Sequence, residues 1–396
     1  MGTEPAAMAE ERGTGLVLAA LCVASFLAAL NFYAATPFYP RMTRDLETTV
    51  PLLGQVATMM IAISAVLGLA VGPLADRYGF RWPLVIGVLA VAVNLIGTGL
   101  APSYPVLLVL SPAGGLGDAL VFGLPLAIAG VRFSGDARRR AMGWIIGSLS
   151  IAPIVGVPIL TTIGGITGWR AALVTAGIGA AVAAWFVAAA LPPDGQRPTT
   201  RLRGGELLAA YRPLLAHPPT LRLYGSTALR AVTWIGLLTY LGAFLGDEVG
   251  LGTRQIGLVY TAGGVGYAAG SFAAGGRLRL GSPRTVVAVT CAFGGLTVGL
   301  VLLLASIWLA VAMLVVASVA SAIAGIGIAT LLASESPAGT GTTMVLNGSV
   351  LNLGAAGGTA LGGALIALGG YDALGLGLPI FALVAAALAW WPTDRQ

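Results

Sequence analysis

Two charged side chains fall inside long apolar runs, and these are the residues with chemistry to offer. Asp118 lies 13 residues from Pro105 and 13 from Val131, the ends of one such run. On a helix that is roughly 20 Å from either end. An ionised carboxylate at that depth carries a cost on the order of several kcal/mol unless it is paired, wetted or protonated. A carboxyl group taken out of water can exchange protons near neutral pH. Ser111 precedes it by seven residues, two turns, and shares nearly the same face. The bland alternative is a structural Asp bonded to hydroxyls or helix backbone. Arg230 is the single basic residue within an apolar run, roughly 14 Å from its start in a membrane core about 30 Å thick. It can meet a carboxylate, or it can snorkel to the surface or cap a local carbonyl. Other chemistries are missing their residues. All 21 basic residues are Arg, so no Lys is present for a Schiff base. Cys22 and Cys291 are far apart in apolar runs, which makes neither a disulfide framework nor a metal site. His217 is the only His, in a polar stretch between prolines, so a zinc site or His-based triad has no basis.

The elements that carry these residues follow from composition. The chain has 396 residues, 57% of them hydrophobic and 9% charged, against about a quarter charged in soluble domains. Mean hydropathy is +0.92. So few charges cannot cover so much apolar surface, which excludes a soluble enzyme, a disordered chain and a nucleic-acid binder. Twelve stretches are long enough to cross a bilayer as helices: 14–39, 50–74, 82–100, 105–131, 141–163, 171–191, 221–245, 255–274, 285–305, 308–332, 342–368 and 373–391. Barrel strands are ruled out because the runs lack alternation. The first run is too long for a signal peptide, has no A-x-A cleavage site, and places Cys22 after Leu21, unlike a lipoprotein site. With a cytoplasmic N-terminus, sixteen Arg fall in inner segments and four (Arg41, Arg44, Arg170, Arg254) in outer ones. That asymmetry puts both termini in the cytoplasm. The net charge of +6 therefore reflects topology.

The longest polar interruption, 192–220, divides the spans six and six, as an internal repeat would. GPLADRYGFRW at 72–82 and GGRLRLGSPR at 275–284 occupy equivalent places, aligning Gly79 with Gly281 and Arg77 with Arg279. Twelve spans in this arrangement, with GPLADRYGFRW after the second, resemble the major facilitator superfamily. The loop matches G-x-L-a-D-R-x-G-R-[KR], with Phe80 in place of the first basic residue and Arg81 keeping the second. SLSIAPIVGV (148–157) is similar to the g-x-x-x-G-P-x-x-G-G motif of antiporter branches, here Ser148, Ala152, Pro153 and Gly156, with Ala152 replacing a Gly. GWR at 168–170 and NGSVLNLGAAGGTALGG at 347–363 resemble the 12-span drug:proton antiporters and arabinose-efflux-like exporters. One departure stands out: the Arg of the fourth-span R-x-x-q-G pattern is Ser111 here.

The resemblance implies an all-α membrane protein of two pseudo-symmetric six-helix bundles, 1–191 and 221–396, joined by a cytoplasmic linker, 192–220. Spans one, four, seven and ten would line a central cavity, with Asp118 and Arg230 approaching from opposite halves as a pair for proton coupling. Gly72, Asp76, Arg77, Gly79 and Arg81 would form a conformational latch, Asp76 meeting the N-terminus of span eleven. Asn31, Trp234, Tyr240, Asn347 and Asn352 are candidates for the substrate cavity, and an aromatic face beside a carboxylate suits a lipophilic cation. Small residues at four-residue spacing (Gly68/Gly72, Ser148/Ala152/Gly156, Gly266/Gly270, Gly354/Gly358/Gly362) would form the interface between halves. Pro153 would bend span five.

The expected activity is export of small amphipathic compounds, drug-like or metabolite, by alternating access in exchange for protons. No cofactor beyond the proton gradient, no metal and no nucleic acid are implied. The expected setting is the bacterial cytoplasmic membrane and the expected state a monomer. Alternatives are a sugar or metabolite exporter or an uncoupled facilitator. From another class, Gly115-Leu116-Gly117-Asp118 with Tyr371-Asp372 matches fragments of intramembrane aspartyl proteases. Two carboxylates must share a site for that chemistry, and Asp372 falls in the predicted outer loop.

Overall fold

The computed structural model of the protein describes residues 4–192, 211–276, 282–304 and 306–391. All regular structure among them is helical. The first half holds α1 (Glu4–Tyr33), a short α2 (Tyr39–Asp45), α3 (Val50–Tyr78), α4 (Arg81–Leu100), α5 (Tyr104–Arg132), α6 (Gly135–Ile151), α7 (Val157–Thr167) and α8 (Trp169–Ala190). The second holds α9 (Pro218–Asp247), α10 (Thr253–Gly276), α11 (Pro283–Leu303), α12 (Ile307–Glu335) and α13 (Thr340–Trp390).

Ten of the described helical segments have the length and apolarity of a membrane span. Two more spans follow from local chemistry. α10 reaches across at 24 residues, but its many glycines dilute its hydropathy. α13 is really two helices, because Gly369 and Gly370 leave helical geometry in its middle. Gly370 has φ +66°, a left-handed conformation that glycine adopts without a Cβ penalty. The chain is thus a multi-pass membrane protein of 12 spans, with edges within a few residues of those expected. Prolines in the first turn of α3, α5, α9 and α11 start those helices, where a missing N–H leaves nothing unpaired. Gly168, with φ +92°, ends α7 and turns the chain directly into α8.

Two differences from the sequence reading concern the spans. The first stops at Tyr33, and residues 36–45 form a 3-10 turn and α2 instead of continuing it. Span five is α6 and α7 joined through a π-helical turn at Ala152–Gly156. Pro153 cannot donate into the ladder, and the wider turn accommodates it.

The small-residue stripes work differently from expectation. A Cβ on Gly354 or Gly358 would overlap the α9 backbone at Ala228 and Val232. Gly266 and Gly270 face Val315 and Val319 of α12, and Gly156 faces Phe26 and Leu30 of α1. These contacts lie within a half. Lipid offers no hydrophobic drive for helix pairing, so close packing through small residues holds each bundle together. The halves meet along the same four spans, but mostly through other positions on them. Thr58 and Thr359 share a hydrogen bond of 2.7 Å, Gly257 abuts Thr161, and Gly264 abuts Pro153 and Ile154. Gly68 faces Ser349 at the ordinary contact distance of 3.7 Å.

At the end expected to be outer, the halves close upon each other. Gly242 lies under Thr36 and Pro37, and Gly246 under Pro40. Tyr260 Oη donates to Leu238 O at 2.8 Å and lies 3.1 Å from Thr36 Oγ1. α2 is held to the first half by Trp169 Nε1 donating to Asp45 Oδ2 at 2.7 Å and Arg41 Nη1 donating to Gly164 O at 2.8 Å.

Candidate functional site

Between the halves lies a cavity of about 380 Å³. Its wall comes from the expected spans one, four, seven and ten: Phe32 and Tyr33 of α1, Asp118 of α5, Arg230 and Trp234 of α9, and Leu314 of α12. Spans two, five, eight and eleven also contribute, through Ser64, Pro153, Tyr267 and Asn352. Most of this surface is apolar or aromatic, and its two charged side chains are Asp118 and Arg230. Trp234 stacks on Tyr267 with ring centroids 6.1 Å apart and planes at 21°.

Asp118 is 3% exposed. Its Oδ1 accepts a hydrogen bond from Asn31 Nδ2 at 2.9 Å, and Asn31 Oδ1 accepts one from Asn94 Nδ2, also at 2.9 Å. Both amide groups also approach Met60 Sδ, at 3.8 and 3.9 Å. This relay links α4, α1 and α5, and it ends on the carboxylate that lines the cavity. Glycine makes it fit: a Cβ at Gly114 would stand 2.8 Å from Asn94 Cγ and 2.6 Å from Met60 Sδ. Gly115 packs on Met60 and Ile63, and Gly117 on Val91. The Gly-x-Gly-Asp tetrapeptide is therefore a packing device that brings α5 close to α3 and α4. Asp372 is exposed, beyond the break in α13, and does not line the cavity. The two carboxylates share no site, and the protein is not an enzyme of that kind.

Arg230 is 8% exposed. Its Nη1 donates to Ser321 Oγ at 3.0 Å and, weakly, to Ser321 O at 3.4 Å. Ser321 is 14 residues from each end of α12, so the guanidinium sits at mid-membrane and does not snorkel. Among the described residues no ion pair joins it to Asp118, although both face the same cavity.

The remaining candidates divide. Trp234 and Asn352 line the cavity, with Asn352 Nδ2 3.5 Å from Ser64 Oγ. Asn31 stands behind Asp118 and orients it. Asn347 accepts from Thr227 Oγ1 at 2.9 Å and is outside the cavity wall. Tyr240 is also outside it: fully buried, it donates to Thr359 O at 2.6 Å and packs on Gly54 and Gly362. Pro153 lines the cavity at the π turn, while Ser148 donates to Trp144 O at 2.8 Å within its own helix. Ala152 and Gly156 are buried in that turn. Ser111, at the place of the missing Arg, is buried and bonds to Leu108 O at 2.8 Å. In the loop motif, Gly79 ends α3 with φ +83° and Arg81 Nη2 donates to Ala188 O at 2.6 Å. The surroundings of Gly72 and the side chains of Asp76 and Arg77 lie outside the described residues, as do 193–210 of the linker and 277–281 of the second loop copy.

The sequence reading missed Asn94 and Met60. Asn94 was visible as a polar residue within an apolar run, but nothing in its own span points to Asp118. Tyr267 and Ser64 were missed because their spans were not expected to line the cavity.

The family model for the Major Facilitator Superfamily matches residues 21–252 and 223–396. A chloramphenicol resistance protein of Streptomyces lividans is 29% identical over 280 residues, 69% of each chain. The inner membrane transport protein YdhP of Escherichia coli K12 is 26% identical over 390 residues, 94% of this chain and 93% of that one. Among solved structures, a bacterial homologue of the human lysosomal transporter Spinster, inward-facing and occupied, superposes with a TM-score of 0.75 at 17% identity. It covers 95% of this chain and 96% of its own.

Proposed function

The chain belongs to the Major Facilitator Superfamily, and from that premise we propose that it exports small amphipathic compounds in exchange for protons. The observation that carries the reading is the cavity between the halves, walled by apolar and aromatic groups and holding one carboxylate, Asp118, on an amide relay. Such a carboxylate can take up a proton and release it as the cavity opens to either side. Substrate and proton then compete for one site, which is the thermodynamic requirement for exchange.

In this scheme the two bundles, 1–191 and 221–396, rock about the cavity. Asp76 would stabilise one end state at the N-terminus of span eleven, where a carboxylate is favoured by the helix dipole. The protein acts in a bacterial cytoplasmic membrane with both termini inside, and the proton gradient supplies the driving force. The likeness to chloramphenicol resistance proteins supports export of a small, partly aromatic compound. Ser111 in place of the usual Arg favours a second reading, a facilitator without proton coupling.

Chloramphenicol uptake into everted membrane vesicles decides between them. Under the first reading an imposed pH gradient drives uptake, and Asp118→Asn abolishes that drive while counterflow exchange survives. Uptake that ignores the gradient in wild type selects the facilitator. Gradient-driven uptake at the wild-type rate in Asp118→Asn overturns the role of Asp118.

A further inference from the structure

We infer that Arg230 is the recognition point for an anionic head group, so that the cavity takes small amphipathic carboxylates, ring against Trp234 and carboxylate against the guanidinium. The inference rests on the cavity being the transport site. A guanidinium has five N–H donors and is always charged. Among the described residues its hydrogen-bond acceptors at Arg230 are neutral, the hydroxyl and carbonyl of Ser321. Its Nε is buried without a hydrogen-bond partner. Among the described residues no carboxylate lies within ion-pair distance. Leaving one charge of a would-be pair unmatched at mid-membrane is strongly unfavourable.

The surroundings are shaped to tolerate this arrangement. Gly325, one turn beyond Ser321, lets the guanidinium lie flat on α12; a Cβ there would stand 3.2 Å from Nη2 and 3.3 Å from Cζ. A second pocket of about 20 Å³ beside Arg230, lined also by Trp234, Thr290, Cys291 and Ser321, has room for about one water. A water satisfies a donor but leaves the charge uncompensated. Arg230 also lines the main cavity. There it shares a wall with Trp234, four residues and one turn away, whose ring is held against Tyr267. A planar apolar surface beside an unpaired guanidinium matches an arylalkyl carboxylate.

The test uses three near-isosteric compounds, 3-phenylpropionate, 3-phenylpropanamide and 3-phenylpropylamine, titrated calorimetrically into the purified full chain in nanodiscs. The carboxylate is expected to bind tighter than the amide by about tenfold or more, the range for hydrogen bonds to a charged group. Arg230→Gln should remove that preference while amide binding persists, and Arg230→Lys should retain part of it. An amide or amine that binds wild type as tightly as the carboxylate overturns the inference, as does a preference surviving in Arg230→Gln, or no carboxylate binding at all. If Arg230→Gln does not fold, the wild-type ratios still decide. Pairing of Arg230 with Asp118 as its real counter-charge predicts no carboxylate preference. Chloramphenicol uptake in vesicles is read separately, so loss of the anion preference with uptake intact overturns only this inference. A preserved preference without uptake overturns only the export reading.

Discussion

Asn94→Leu should weaken the hold on Asp118 without removing any side chain from the cavity wall. Asn94 lies on α4, behind Asn31, and reaches the carboxylate only through that residue. Leu is the apolar, somewhat bulkier counterpart of Asn with the same four side-chain heavy atoms, so Met60 and Gly114 keep an occupant beside them. What goes is the N–H donor to Asn31 Oδ1. Asn31 can then turn its amide over and present oxygen instead of NH₂ to Asp118. A side-chain hydrogen bond between membrane helices is worth about 0.6 kcal/mol on average and at most about 1.7. Divided by an RT of about 0.59 kcal/mol, that is a roughly three- to eighteenfold loss of the correct Asn31 orientation. The assay is chloramphenicol uptake in everted vesicles, measured under a pH gradient and again as counterflow exchange without one. The gradient-driven initial rate should fall by roughly three- to eighteenfold, while counterflow stays within about twofold of wild type. In an Asp118→Asn background, Asn94→Leu should add nothing, because coupled sites are non-additive. Parallel loss of both activities would show that Asn94 acts through packing alone and would refute the relay.

Two further perturbations test the packing that positions the site. Gly357→Ala and Gly358→Ala are neighbours on one helix, so the helix-propensity gain cancels between them. A Cβ on Gly357 meets Val232 Cγ2 at an ordinary 3.7 Å, but one on Gly358 falls 2.8 Å from Val232 Cα. Gly358→Ala should therefore be less stable by about 1–3 kcal/mol, the range for overpacking, and thermal unfolding of the two variants side by side checks it. Trp169→Phe keeps a ring for Arg170, whose guanidinium lies 4.3 Å above it, but loses the donor to Asp45. α2 should loosen by about 1.5–3 kcal/mol, as for a hydrogen bond to a charged group. Hydrogen exchange over residues 39–48 should rise, with the core of α8 unchanged.

The spans were legible because their physics is local. A helix satisfies its own backbone bonds, and the bilayer sets how many apolar residues it needs, so composition alone located all twelve crossings. The breaks were legible for the same reason: Gly168 and Gly369–Gly370 interrupt the runs where the chain turns. Asp118 and Arg230 were legible because charge is rare in such runs and expensive to bury. Tyr240 was misplaced because a buried Tyr looks the same in a string whether it faces a cavity or a carbonyl of the next helix. Of the small-residue stripes, Gly68 faces the other half as expected, while Gly156, Gly266, Gly270, Gly354 and Gly358 pack within their own half. With 58 glycines in the chain, spacing marks a helix face that can be approached closely but not which helix approaches it.

By itself, then, the sequence determined a twelve-span membrane protein, its division into two halves, and the two charges buried within its spans. Only the tertiary structure decided what those charges touch. Asn31 meets Asp118 across 87 residues of chain, Asn94 meets Asn31 across 63, and Ser321 meets Arg230 across 91. Hydrogen-bond partners at such separations are chosen by how helices pack. That packing is set by close contacts at glycines such as Gly114 and Gly325, whose lack of a side chain carries no record of the neighbour it admits.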